Sequence, residues 1–279
     1  MHTEGGAGAG AGRPPARRRR RRRRPGEPRR GLYLLPHLFT TGNLFFGFYS
    51  VVQSAAGAYD RAAWWIVLAG LCDALDGRAA RLARTSSRFG AEYDSIADTV
   101  SFGVAPAMLA YHAGNLAGLG RVGFVVAFLF TACAGLRLAR FNVAPGRYRG
   151  RFEGLPSPAA AGMIAATELF VTLLREARVP VVAPEWLVAA GVAALALLMV
   201  SSVPYRSFKE VDLRHSYGTL VLVVLALAVV VAQPRIALFA IGLLYVPSGP
   251  LELVLRKLGR GAPLEAAAPG EAAPPERPA

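Results

Sequence analysis

Between residues 37 and 254 the sequence is a succession of apolar stretches, near 37–57, 62–84, 91–113, 121–142, 157–174, 185–203, 217–232 and 236–254. Each approaches the roughly 20 residues with which a helix crosses a hydrocarbon core of about 30 Å. A segment surrounded by lipid must satisfy its own backbone hydrogen bonds. The expected fold is therefore an all-α polytopic membrane protein with about eight transmembrane helices.

The charge balance conflicts with this until it is located. The chain carries 32 Lys+Arg against 18 Asp+Glu, a net +14, although 53% of it is hydrophobic. Residues 1–30 hold eleven arginines and two glutamates, hence +9 of the +14. Glycine and alanine repeats, Pro14, Pro15 and an unbroken run from Arg17 to Arg24 leave nothing there to offset the entropy of folding, so residues 1–30 are expected to be a disordered polybasic tail. Arg29 and Arg30 precede an apolar segment, as in a twin-arginine or secretory signal. No small-residue cleavage site follows, however, and the apolar segments keep recurring, so that segment reads as the first helix. The tail has electrostatic affinity for polyanions but no folded reader or interleaved aromatics, so nucleic acid is not the expected partner. Residues 31–256 form the expected transmembrane domain, and residues 257–279, rich in Ala, Pro and Glu from Gly261 onward, a second disordered tail. Only Cys72 and Cys133 occur, both in apolar stretches, which excludes a disulfide-stapled scaffold and a four-cysteine zinc site.

Basic residues are retained on the cytoplasmic side of a membrane. With the first 30 residues inside, and residues 1–30 and 261–279 left out, the inner loops and helix ends hold 15 basic residues and the outer ones 5. The inner group includes Arg78, Arg81, Arg137, Arg140, Arg206 and Arg256; the outer group is Arg61, Arg121, Arg175, Arg178 and Arg235. Both termini are thus expected on the cytoplasmic side.

The second and third stretches break the apolar pattern in one place, with Asp73, Asp76, Asp94 and Asp98. An acidic residue at the centre of a bilayer helix costs roughly 2.5–3.5 kcal/mol on insertion scales, so four need compensation. Spacings of three and four put each pair on one helix face, and the short polar linker Thr85–Arg88 makes the two helices antiparallel neighbours. Four facing carboxylates suit hard divalent cations, Mg²⁺ or Mn²⁺, and two ions about 3.5–4 Å apart would clamp an in-line displacement at phosphorus. Gly77 and Ala80 remove bulk on the same face, Gly90 does so on the third helix, and Arg81 can pair with a phosphate oxygen. A purely structural Asp/Arg cluster or a transporter's proton relay would not account for the two interleaved small residues.

The run Asp73-x-x-Asp76-Gly77-x-x-Ala80-Arg81, then Gly90, Asp94 and Asp98, eight fixed positions over 26 residues, resembles the complete signature of the CDP-alcohol phosphatidyltransferases. That resemblance implies a six-helix core, here followed by two C-terminal helices. It also implies a dimeric membrane enzyme that uses two divalent ions to transfer a phosphatidyl group from a CDP-lipid to an alcohol, with release of CMP. Further runs are similar to bacterial and archaeal phosphatidylserine synthases within the superfamily. They are Phe39 to Gly47, Asp98 to Pro106, Arg137 to Asn142, Gly154 to Pro158, Tyr205 to Lys209 and Ser248 to Pro250. His37, where the family more often has a polar amide, is one mild departure.

By this resemblance the substrates are CDP-diacylglycerol and L-serine and the setting is a bacterial or archaeal cytoplasmic membrane. Asp73, Asp76, Asp94 and Asp98 are the implied metal ligands, with Asp98 also the general base, and Asp73, Gly77, Ala80, Arg81 and Gly90 hold the CDP portion. Arg137, Arg140, Asn142 and Ser157 are the candidates for binding serine, against the blander alternative that the arginines only snorkel and enforce topology. Glycerol 3-phosphate or inositol phosphate remains open as the acceptor, and a cation- or proton-coupled transporter as another function. Trp64, Trp65 and Trp186 read as interfacial anchors, His112 and His215 as boundary residues and Cys72 as packing. The small-residue run from Ala159 to Gly162 allows close helix approach and a dimer interface. Arg17 to Arg24 are expected to lie against anionic lipid.

Overall fold

A computed structural model describes residues 34–83, 88–143, 151–181, 183–206, 228 and 231–258, with side chains at 34–37, 79–83, 88, 151, 152, 206 and 257 excepted. The polybasic tail with Arg17 to Arg24, most of the stretch at 217–232, His215 and the C-terminal tail beyond residue 258 lie outside the described residues. So do the side chains of His37, Ala80 and Arg81.

The elements are α1 (Leu34–Ala55), α2 (Tyr59–Ala83), α3 (Arg88–Thr99), a π turn (Val100–Val104), α4 (Ala105–Ala113), a 3₁₀ turn (Leu116–Leu119), α5 (Arg121–Val143), β1 (Arg151–Glu153), α6 (Ser157–Glu176), α7 (Glu185–Val200), β2 (Pro204–Arg206) and α8 (Pro234–Lys257). Seven of the eight apolar stretches thus appear as helices within a few residues of their expected bounds. By length and composition Arg121–Val143, Ser157–Glu176 and Pro234–Arg256 can each cross a membrane, and Glu185–Val200 is a shorter apolar helix. α1 and α2, of 22 and 25 residues, also have spanning length, and they pack on each other more extensively than any other pair.

α3, the π turn and α4 form one continuous rod where a single helix over 91–113 is expected. Pro106 supplies no N–H and its ring would crowd the carbonyl of Phe102. The helix widens just before it, with the Ala105 N–H bonded to the Val100 carbonyl, five residues back. Beyond α4, Asn115 in the left-handed region (φ 52°) and Gly120 (φ 56°) turn the chain back into α5.

Ordering of the ends can be read from ion pairs. Arg235 at the start of α8 reaches Asp60 at the start of α2 (3.1 Å) and Glu176 at the end of α6 (2.8 Å), so these three termini share one side. At the opposite side β1 pairs antiparallel with β2, Phe152 opposite Tyr205, and Arg140 from the end of α5 bonds Glu153. This two-stranded ribbon is an addition to the expected all-helical fold. β1 ends at Gly154, whose φ of +74° suits glycine and whose N–H bonds the Val203 carbonyl.

The core is alanine-rich: Ala62, Ala63, Ala69, Ala105, Ala160, Ala161 and Ala196 have no exposure, which lets helices approach closely. Ala160 and Ala161, from the run expected to favour close approach, are therefore buried within the chain itself. Trp65 stacks on Phe46 (5.3 Å) and meets Tyr49 edge-on (5.0 Å), so it locks α1 to α2, whereas Trp186 is exposed at the start of α7.

Candidate active site

α2 and α3 both pack on α1, α2 bringing Asp73 from its middle and α3 bringing Asp94 and Asp98 from its second half. Asp73, Asp94 and Asp98 each present a carboxylate oxygen, and the three oxygens lie within 4.8 Å of one another. At that separation each like-charged pair repels by on the order of 3 kcal/mol for an effective dielectric near 20. A cation between them removes the conflict. Asp94 Oδ1 is buried without a hydrogen-bond partner, an acceptor left over for something other than protein. The donor set, all hard carboxylate oxygen, fits Mg²⁺ or Mn²⁺.

Asp76 stands apart from that trio. It is 7% exposed, accepts a hydrogen bond from the Thr40 hydroxyl of α1, and lies near enough to Asp94 and Asp98 to interact with both electrostatically. Gly77 follows it, half-buried, and Gly90 stands half-buried in the first turn of α3. The backbone of Ala80 and Arg81 continues α2 toward the same end.

The residues expected to hold serine are divided. Arg137 of α5 is close enough to Asp98 and to Tyr245 of α8 for electrostatic contact, and its Nε is buried without a hydrogen-bond partner. Ser157, the first residue of α6, has no exposure and an unpaired Oγ. Arg140 instead bonds Glu153 and is exposed, while Asn142 Nδ2 donates to Ser95 Oγ at 2.9 Å. Arg137 is thus directed to the carboxylates, and Arg140 to the ribbon.

A comparison with protein families matches residues 33–200 to the CDP-alcohol phosphatidyltransferases. The chain belongs to that family. Among curated proteins, this phosphatidyltransferase is 37% identical over 213 residues to the Helicobacter pylori protein named CDP-diacylglycerol–serine O-phosphatidyltransferase, covering 76% of this chain and 88% of that one. It is 33% identical over 233 residues to the protein of the same name from Mycobacterium bovis, covering 79% of each. It is 35% identical over 178 residues to the archaetidylserine synthase of Methanothermobacter thermautotrophicus, covering 61% of this chain and 69% of that one. As in its family, the phosphatidyltransferase is a multi-pass membrane protein.

Three contributors to the site carry no role in the sequence-based expectation, the first being Thr40 on Asp76. Asn43 of α1 donates Nδ2 to Asp98 Oδ1 at 2.8 Å, and Tyr245 of α8 adjoins Arg137. Polar residues at 40, 43, 50 and 54, on one stripe of α1, are the signal for those on α1; nothing comparable marks Tyr245. Below it, Tyr205 is fully buried, stacks obliquely near Tyr245 (5.6 Å between rings) and donates its hydroxyl to the Val246 carbonyl at 2.9 Å. Burial, and after it the neighbouring Tyr245, push the Tyr205 hydroxyl up to about 12, so it stays a hydrogen-bond donor throughout the working pH range.

Proposed function

We propose that this phosphatidyltransferase moves the phosphatidyl group of CDP-diacylglycerol to L-serine, giving phosphatidylserine and CMP. The observation that carries it is the convergence of Asp73, Asp94 and Asp98 beside a half-buried arginine, Arg137, whose buried Nε has no protein partner. A structural ion-pair cluster would not leave both an acceptor and a donor unused. The names of the bacterial relatives support serine as the alcohol.

The serine hydroxyl oxygen forms the new bond to phosphorus while the bond from phosphorus to the CMP oxygen breaks, and the hydroxyl proton passes to Asp98. Two Mg²⁺ or Mn²⁺ ions, held by Asp73, Asp94 and Asp98 with Asp76 adjoining, would supply positive charge against the negative charge developing on the phosphoryl oxygens. Gly77, Ala80, Arg81 and Gly90 receive the CDP portion. Arg137 orients the serine carboxylate and Ser157 completes that pocket. Single displacement inverts configuration at phosphorus; retention would reveal a covalent phosphatidyl-enzyme instead.

The distribution of arginine and lysine supports a cytoplasmic location for the carboxylates and both termini, with residues 1–30 and 257–279 as tails of a catalytic domain at 31–256. The polybasic run Arg17 to Arg24 would rest on anionic lipid, and the functional unit would be a homodimer.

Purified protein in neutral detergent, supplied with CDP-diacylglycerol, should release CMP only when L-serine and Mg²⁺ or Mn²⁺ are both present. Release with glycerol 3-phosphate or inositol phosphate in place of serine would reassign the acceptor. Cation flux in proteoliposomes, without CMP release from CDP-diacylglycerol in the presence of any of these acceptors, would replace the enzyme with a transporter.

A further inference from the structure

Thr40, Asn43, Gly47, Ser50 and Ser54 recur along α1 at intervals of three or four residues, which is one stripe of the helix. The four with polar side chains are at most 3% exposed, so the stripe faces the bundle. Its members do different things. Ser50 donates to the Ala62 carbonyl at 2.9 Å and ties α1 to α2. Asn43 reaches the acidic cluster itself.

Asn43 is held from both sides. Its Nδ2 donates to Asp98 Oδ1 at 2.8 Å, and its backbone carbonyl accepts from the Ser101 hydroxyl, also at 2.8 Å. Ser101 belongs to the π turn just beyond Asp98 and fits against α1 because Gly47, one turn on from Asn43, has no side chain. The amide orientation is forced, since its carbonyl turned toward Asp98 would set oxygen against carboxylate oxygen. Asn43 Oδ1 consequently points elsewhere and has no hydrogen-bond partner, although the residue has no exposure at all. A buried unpaired carbonyl is unfavourable, and an apolar side chain of similar size would pack this seam better. Stability alone therefore does not account for asparagine here.

We propose that Asn43 is a positioning residue for Asp98. Its amide fixes the rotation of the Asp98 carboxylate and so keeps an Asp98 oxygen with those of Asp73 and Asp94. This rests on the acidic trio being a divalent-cation site. Partners of this kind behind a metal-binding carboxylate commonly change metal affinity or activity by about 10- to 100-fold when removed.

The test compares full-length wild type, Asn43→Leu, Asn43→Ala and, as a structural control from the same stripe, Ser50→Ala. Mn²⁺ affinity is measured by electron paramagnetic resonance of free Mn²⁺ without lipid substrate, beside kcat, both KM values and Tm. Asn43→Leu keeps the volume and removes the donor; the expected result is Mn²⁺ binding and kcat each about 10- to 100-fold lower, with the KM for CDP-diacylglycerol within about twofold and Tm no lower than that of Ser50→Ala. Asn43→Ala is read in the same way and keeps the test open if the leucine variant does not fold. Wild-type Mn²⁺ affinity and kcat in these variants would overturn the proposal, and so would an equal loss of Mn²⁺ affinity in Ser50→Ala. Wild-type protein that binds no Mn²⁺ overturns the metal site, and the positioning role with it; wild-type binding that the Asn43 variants leave intact overturns only the positioning role.

Discussion

Asn142 in the last turn of α5 donates its side-chain amide to Ser95 Oγ, 2.9 Å away, in the stretch of α3 between Asp94 and Asp98. α5 also carries Arg137, so this bond couples the proposed serine pocket to the carboxylates. Ser95 is itself anchored, donating to the Ala91 carbonyl at 3.0 Å.

Asn142→Ala should therefore act on serine before it acts on the CDP-lipid. The expected outcome is a several-fold rise in serine KM, in line with the loss of one neutral hydrogen bond worth about 1 kcal/mol. Michaelis analysis with each substrate varied in turn checks it. A rise confined to the CDP-lipid KM would show that the end of α5 serves the nucleotide.

Arg137 should matter more, because its guanidinium is partly desolvated and its Nε has no protein partner. A hydrogen bond to a charged group contributes about 1.5–3 kcal/mol, so Arg137→Ala should raise serine KM about 10- to 100-fold with the CDP-lipid KM unchanged. Arg137→Lys keeps charge but not the planar fork and should recover only part of the loss. Arg140→Ala, by contrast, breaks an exposed pair with Glu153, and its serine KM should shift less. Equal effects of the two alanine variants would return both arginines to a role in topology.

Divalent-cation removal offers a second check. Chelation of the purified enzyme should abolish CMP release, and added Mg²⁺ or Mn²⁺ should restore it. Asp73→Asn and Asp94→Asn should lose both Mn²⁺ binding and turnover, each by at least about 100-fold. Asp98→Asn separates its two roles: turnover retained with only metal affinity lost would exclude it as the base.

The helices were legible because lipid imposes a length and a composition on any segment that crosses it. The aspartate pairs were legible because three- and four-residue spacings define a helix face. What escaped was set by contacts between distant parts. β1 and β2 are three residues each and far apart in sequence, too short for a period-2 pattern. The π turn arises from Pro106 inside an otherwise ordinary apolar run. Asp76 is equivalent to Asp73 by spacing, and only the packing of α1 shows that Thr40 takes one of its oxygens while Asp73 joins Asp94 and Asp98.

The polybasic tail should be separable from catalysis. Each basic residue near an anionic surface contributes roughly 1 kcal/mol, attenuated by salt. Deleting residues 1–30 should weaken binding to anionic vesicles while leaving kcat unchanged in neutral detergent. A collapse of kcat in that detergent would show that the tail takes part in turnover.

Gly47 sets how closely α1 approaches the rod that carries Asp98. A Cβ at this position would stand 2.7 Å from Ser101 Cα, inside contact distance with backbone that cannot rotate away. Gly47→Ala must therefore push α1 from the π turn, lengthening the Ser101 bond to the Asn43 carbonyl and straining the Asn43 bond to Asp98. In soluble cores overpacking of this kind costs about 1–3 kcal/mol, and the same size of effect is expected here, as a lower Tm in detergent. The helix itself gains from alanine over glycine by up to about 1 kcal/mol, so the two effects oppose each other. A raised Tm would mean that α1 can slide without loss, and in that case kcat should also survive; a lowered Tm with kcat reduced together with it ties the approach of these two helices to the geometry of the carboxylates.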